Sequence, residues 1–364
     1  MKTMLPPDSK KVSPFFVFYL IHSQQIGVAV LGFERYVAKS AGYDAWISVI
    51  LSGLSIMAVV WFCYRILIKD GHDIISVHHQ IFGKYIGNVL NVALVSYASL
   101  LVLLNLRTYV EVIQVWMFPE TYHWVFIALI LLLAYSFVSG GFRVVTGICF
   151  LSVIYGIPLL FVKYFPLREA QVGNLLPIFS HSFSDIMEAT KTMTLNYLGY
   201  ETLLIFFPFI KDGKKSEKWA YYGVLASIGI YLLTILTSFV YFDQDQLRTT
   251  IWATLTLWKI VDLIIIERFE YIGIAAWLFI VLPNIALGLW AASRAINRFT
   301  PLTQRVSLKG VAAAVLIGAV LITERTQIDQ LNFMANTIGF YLAYVYIPLI
   351  YICQLAVNKW RVSK

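Results

Sequence analysis

Apolar runs separated by short polar segments dominate the chain. Stretches free of Asp, Glu, Lys and Arg occupy 12–33, 45–64, 85–106, 121–142, 144–162, 219–242, 271–293 and 330–358. A membrane-spanning helix needs about 20 such residues, so each stretch is read as one span. Two weaker segments are added: 183–210, interrupted by Lys191 and Glu201, and 310–323, which is short unless it extends toward Ser307. The pattern predicts ten helices. Backbone groups in lipid must be satisfied within their own segment, and strand-like alternation is missing, so an α-helical bundle is expected rather than a β-barrel. Between the spans, Asp243 to Glu270 carries charges at its ends and an apolar middle containing Trp252, Leu255, Leu257, Trp258, Ile260 and Ile264–Ile266. It is expected to lie as an amphipathic helix in the outer interface, because an eleventh span would put its flanks on conflicting sides. No stretch has the composition of a soluble domain, and 1–364 reads as one membrane domain.

Composition agrees with this pattern. Of 364 residues, 59% are hydrophobic and 13% charged, against about 25% charged in soluble chains. That excludes soluble Rossmann enzymes, nucleic-acid-binding domains and secreted disulfide scaffolds. The net charge of +8 is explained by where the basic residues fall. With the N-terminus inside, inner segments hold 18 Lys and Arg and outer segments 8, which predicts cytoplasmic N- and C-termini without any nucleic acid partner. Cys63, Cys149 and Cys353 fall in apolar runs and read as packing residues. The basic N-terminal segment, with Pro6, Pro7 and Pro14, leads into an apolar stretch without a small-residue cleavage pattern. The first span is therefore expected to be retained.

Two spans depart from plain apolar helix. The first contains Gly27-Val28-Ala29-Val30-Leu31-Gly32 after His22, Ser23, Gln24 and Gln25, and the sixth reads Asn196-Tyr197-Leu198-Gly199-Tyr200-Glu201 with Pro208 beyond. Gly27 and Gly199 lie 172 residues apart, close to half the chain. Interrupted spans at matched positions in two halves point to a transporter-like binding site. With five spans per half, the repeats, about 12–165 and 183–358, would be inverted relative to each other. Glu201 is the costliest residue, since a mid-membrane carboxylate costs at least ~2.5–3.5 kcal/mol and is retained where it faces a cavity or a partner. At the start of a half-helix it would meet unpaired amides and a favourable dipole. The predicted ligand site comprises Gly27, Val28, Ala29, Val30, Asn196, Tyr197, Gly199 and Glu201, with Tyr97 of the third span as a wall. Arg107 and Glu111, one turn apart, are expected to pair with each other or with a loop. Asp185, Glu188 and Lys191 are expected to form a solvated outer entrance to the sixth span. No Walker loop, dinucleotide fingerprint, nucleophile elbow or zinc-like spacing is present, so neither an enzyme nor a cofactor is expected.

The ordered set of Ile26-Gly27 to Gly32, Arg107 and Glu111, Phe118-Pro119-Glu120-Thr121, Leu198-Gly199-Tyr200-Glu201 with Pro208 and a lysine-rich loop, and Ile266-Glu267-Arg268-Phe269-Glu270 with Trp277 spans nearly the whole chain. It resembles the B subunit of bacterial spore nutrient-germinant receptors, GerAB-like proteins of the amino acid/polyamine/organocation transporter superfamily. The chain departs from that pattern at Leu31-Gly32-Phe33-Glu34-Arg35, where the family usually has Leu-Pro-Arg. The resemblance implies a permease-like receptor subunit in the spore inner membrane. It would act with A-type and lipoprotein C-type subunits, bind a small nutrient such as an L-amino acid, and trigger germination without covalent chemistry. The alternative is an amino acid transporter coupled to protons or sodium. The two readings differ in whether ligand binding is accompanied by flux.

Overall fold

The computed structural model describes residues 5–70, 72–263 and 267–362. In chain order the helices are α1 (Phe16–Gln25), α2 (Glu34–Ala41), α3 (Ala45–Asp70), α4 (Ile74–Trp116), α5 (His123–Ser139), α6 (Phe142–Phe161), α7 (Tyr164–Arg168) and α8 (Phe183–Met193). They are followed by α9 (Leu203–Phe206), α10 (Glu217–Tyr241), α11 (Gln244–Thr249), α12 (Ala253–Trp258), α13 (Phe269–Phe299), α14 (Gln304–Leu321), α15 (Arg325–Tyr341) and α16 (Ile347–Val362). Among the described residues no strand forms beyond isolated bridges, one of which pairs Val12 with Ile210. That bridge is closed by Val12 N–H to Phe209 O and Lys211 N–H to Val12 O. It ties the approach to α1 to the end of the other interrupted segment.

Among the described residues, seven helical stretches are long and apolar enough to cross a membrane: Glu34–Lys69, Ile74–Trp116, Phe142–Arg168, Lys214–Tyr241, Phe269–Phe299, Gln304–Leu321 and Arg325–Lys359. The other predicted spans are shorter for identifiable reasons. The first and sixth are cut by non-helical backbone, leaving α1 with ten residues and α8 with eleven, while α5 has seventeen. Two long helices also bend. Gly83 sits at φ +75° within α4, a left-handed conformation that glycine adopts without a Cβ penalty, and Pro283 interrupts the α13 hydrogen-bond ladder.

The core centres on α13, which packs along α4 and α6, and on α10, which packs against α1 and α3. Both α13 and α10 bury most of their span, whereas α5 and α14 turn apolar surface outward. An exposed apolar face is the expected boundary with lipid. The interfacial helix predicted over Asp243 to Glu270 is replaced by two short helices, α11 and α12. Trp252, Leu255, Leu257 and Trp258 are buried against the bundle, because α12 fills the space beside the first interruption, where Thr254 donates to Val30 O at 3.1 Å. Ile264–Ile266 of that prediction lie outside the described residues.

The expected charge pairs also resolve. Arg107 donates to the carbonyls of Ile322 and Thr323 at 2.6 and 3.0 Å, while Arg325 Nη1 donates to both carboxylate oxygens of Glu111 at 2.8 and 3.0 Å. Arg107 and Glu111 thus each reach the α14–α15 connection rather than one another. Asp185 caps α8 reciprocally with Ser182, and Lys191 stacks over the Phe340 ring.

Candidate functional site at the two helix interruptions

At the first interruption α1 ends at Gln25, the chain runs extended through Ile26 and Gly27, and a single 3-10 turn covers Val28–Leu31. Position 27 is tightly approached: a Cβ there would displace the side-chain amides of Asn284 and Asn105. Carbonyls that a continuous helix would satisfy are capped from other elements. Ser23 O accepts from Asn284 Nδ2, Gln25 O from Tyr231 at 2.7 Å, and Gly27 O from Trp277 Nε1 at 3.3 Å. Broken backbone at membrane depth persists only where protein or an aqueous cavity supplies such partners. The amides opening the turn have no partner within it.

The second interruption is built from a 3-10 turn at Thr194–Tyr197, Gly199 in the left-handed region at φ +102°, and a further turn at Tyr200–Thr202 leading into α9. A Cβ on Gly199 would meet Gln24 Cβ at 2.8 Å, so glycine is fixed here by conformation and space together. Glu201 Oε2 accepts the Gly199 N–H at 2.8 Å. The carboxylate therefore caps the new turn, as an anion does at a helix start. Its other oxygen, Oε1, is buried without a hydrogen bond among the described residues, as are the Tyr97 hydroxyl and Asn284 Oδ1. Tyr97 lies next to the Glu201 carboxylate without completing a hydrogen bond to it.

The two interruptions touch. Gln25 Nε2 donates to Tyr197 O at 3.2 Å, and the Tyr231 hydroxyl bonds both Gln25 O at 2.7 Å and Asn196 O at 3.1 Å. Between them, α4 and α13 lies a cavity of about 80 Å³, above the ~10–15 Å³ that one water requires. Among the described residues, Glu201 is the only charged one in its lining.

Of the sequence-predicted residues, Gly27, Val28, Ala29, Tyr97, Asn196, Gly199 and Glu201 line this cavity. Val30 instead borders a second cavity on the other side of α1. Tyr197 is turned away, its hydroxyl donating to Val49 O of α3 at 3.0 Å, and only its carbonyl takes part in the junction. Sequence reasoning missed Asn105, Thr108, Asn284 and Asn332 in the lining. The adjacent Pro283-Asn284 in an otherwise apolar run was the available signal: Pro283 O accepts from Gln24 at 3.1 Å, and Asn284 reaches the first interruption. Among the described residues no cluster of His, Cys, Asp and Glu could hold a metal ion.

A helical bundle with two interrupted helices meeting over a cavity defines a membrane protein of the transporter fold. Two solved structures share it: Mhp1, a nucleobase-cation-symport-1 family transporter in a closed conformation with bromovinylhydantoin bound, with a TM-score of 0.71 at 12% identity over 97% of this chain and 80% of that one; and MhsT in complex with L-phenylalanine, with 0.66 at 14% identity over 95% and 97%. A family model described as spore germination protein matches residues 11–328. Spore germination protein GerQB of Bacillus cereus is 40% identical over 98% of this chain and 99% of its own length. Spore germination proteins B2 and A2 of Bacillus subtilis (strain 168) are 24% and 22% identical over 71% and 93% of this chain, and over 71% and 92% of their own lengths. The chain belongs to the spore germination protein family, whose members are permease-like integral membrane proteins rather than enzymes.

Proposed function

We propose that this chain is the permease-like B-type subunit of a spore nutrient-germinant receptor, and that it binds a small nutrient such as an L-amino acid between its two interrupted helices. The observation that carries this reading is the junction itself. The amides of Val28 and Ala29, which donate to no other element among the described residues, offer donors to a ligand carboxylate, while Glu201 Oε1 and Asn284 Oδ1, without hydrogen-bond partners among the described residues, offer buried acceptors to a ligand ammonium. No covalent step is needed. A ligand with different affinities for two arrangements of the bundle shifts their populations, and partner subunits read the shift. The proposed setting is the inner membrane of a spore, with both termini cytoplasmic, ten spans in two inverted five-helix repeats, and A-type and C-type subunits as partners.

The test pairs response with flux. Spores carrying the wild-type chain should germinate in a dose-dependent way on one nutrient, and sealed vesicles holding the chain should bind that nutrient without accumulating it. Accumulation driven by a proton or sodium gradient would replace the receptor reading with that of a coupled transporter.

A further inference from the structure

A second cavity of about 170 Å³ lies on the far side of the Ser23–Val30 segment, bounded by α1, α6, α10, α12 and α13. Its walls are mainly apolar, with Trp258, Trp277, Ile157 and Ile280 among them. Ile157, which lines it, is also 45% exposed on the apolar outer surface of α6.

One lining group is chemically out of place. Lys163, 9% exposed, borders the cavity and makes no side-chain hydrogen bond or ion pair among the described residues. Most other polar lining groups are already engaged: the hydroxyls of Ser23, Ser152, Thr234 and Thr254 and the indole N–H of Trp277 donate to backbone carbonyls, and His22 pairs through Nδ1 with the Ser227 hydroxyl at 2.9 Å. Glu34 stands behind Thr254, which donates to its Oε1 at 2.8 Å, as does Ser238 at 3.0 Å. It supplies a counter-field without closing an ion pair on Lys163. An ammonium left without a protein acceptor beside an apolar wall is costly.

We propose that this cavity is a second ligand site, in which the Lys163 ammonium takes the carboxylate of a small apolar acid whose hydrocarbon body lies against Trp258, Trp277 and Ile157. One cation facing the space matches one singly charged head group. The apolar walls, reaching through Ile157 to the exposed apolar face of α6, match a tail that partitions into lipid. The site is independent of the nutrient reading, since Glu201 and the first cavity lie on the opposite side of α1.

Trp258 provides the readout, because bromine quenches indole fluorescence at close range. The full-length chain in lipid nanodiscs is titrated with 6-bromohexanoate and with 6-bromohexanol. The expected result is a saturable quenching component for the carboxylate alone whose amplitude falls in Trp258→Phe, the remainder coming from Trp277, and whose affinity is weakened about tenfold or more in Lys163→Met, the cost of a lost charge-assisted bond. Gly156→Leu provides a variant that leaves the charge in place. A Cβ at Gly156 meets only Ile280 Cδ1 at 3.6 Å, so the larger side chain extends into the cavity and should block the component. Equal saturable quenching by the alcohol, persistence of the carboxylate component in both Lys163→Met and Gly156→Leu, or the lack of any saturable component in the wild type would each overturn the proposal. The last outcome would mean that Lys163 is served by water.

Discussion

The side-chain amide of Gln25 donates to the carbonyl of Tyr197 at 3.2 Å, joining the end of the first half-helix to the second interruption. Tyr231 of α10 reinforces the joint by bonding the carbonyls of Gln25 and Asn196 together. Neither interruption can shift without disturbing the other, which gives a ligand lodged between them a direct hold on the bundle.

Replacing Tyr231 with Phe removes the donor shared by two buried carbonyls. Leaving such groups unsatisfied costs about 1–3 kcal/mol, so the purified Tyr231→Phe protein should unfold at a lower temperature and respond to nutrient only at higher dose. An unchanged unfolding midpoint would show that the joint does not depend on this hydroxyl.

Gly199→Ala should impair response more than its size suggests. The left-handed backbone costs a residue with a Cβ roughly 1–2 kcal/mol, and the new methyl group meets Gln24 Cβ at 2.8 Å. Gly229→Ala in α10, where a Cβ has nothing within 4 Å, is the matched control. Germination dose-response curves normalised to membrane protein level should shift for position 199 and stay at wild type for 229.

At Glu201 the two roles of the side chain can be separated. Glu201→Gln keeps the volume and an acceptor for the Gly199 N–H, whereas Glu201→Ala leaves that amide uncapped at ~1–3 kcal/mol. If Oε1 receives a ligand cation, Gln should already lower nutrient sensitivity at normal protein abundance. A silent Gln variant with reduced abundance of the Ala variant would restrict Glu201 to bracing the turn.

The pair between Arg325 and Glu111 closes one end of the α4–α15 seam, with Tyr36 of α2 accepting into the same cluster from Arg325. Glu111→Gln should loosen this latch by about 1 kcal/mol, the discount from a fully buried pair reflecting the part-exposed Arg325. A cysteine at Thr108, which lines the first cavity, should then be labelled faster by a small external thiol reagent. Equal labelling rates with and without Glu111→Gln would remove Arg325 and Glu111 from any gating role.

The elements of the fold were legible where long-range contacts do not decide them. Span positions followed from the charge-free runs, and the two breaks from glycine with neighbouring polar groups, because both are local properties of the chain. What the runs could not reveal is how a break is satisfied. Tyr231 reads as an ordinary aromatic in an apolar helix, yet its hydroxyl is spent on two distant carbonyls. The same limit misdirected Tyr197, whose place beside Gly199 in sequence puts its ring toward α3. Trp252 to Trp258 looked interfacial since amphipathicity shows that a face is buried but not whether lipid or protein buries it. Lys163 was readable only as a basic residue at the outer end of a span, and its cavity exists only once α6, α10 and α12 are assembled.

The central claim is that a small nutrient is held by the backbone at Gly27 to Ala29 against Glu201. Equilibrium binding of the radiolabelled L-amino acids to the purified full-length protein tests it directly, with Gly27→Val as the partner variant, since any Cβ at position 27 collides with Asn284. The account predicts saturable binding of at least one amino acid to the wild type and its loss in Gly27→Val at a temperature where that variant is still cooperatively folded. Saturable binding that survives Gly27→Val unchanged, or none by any amino acid to the wild type, would contradict it.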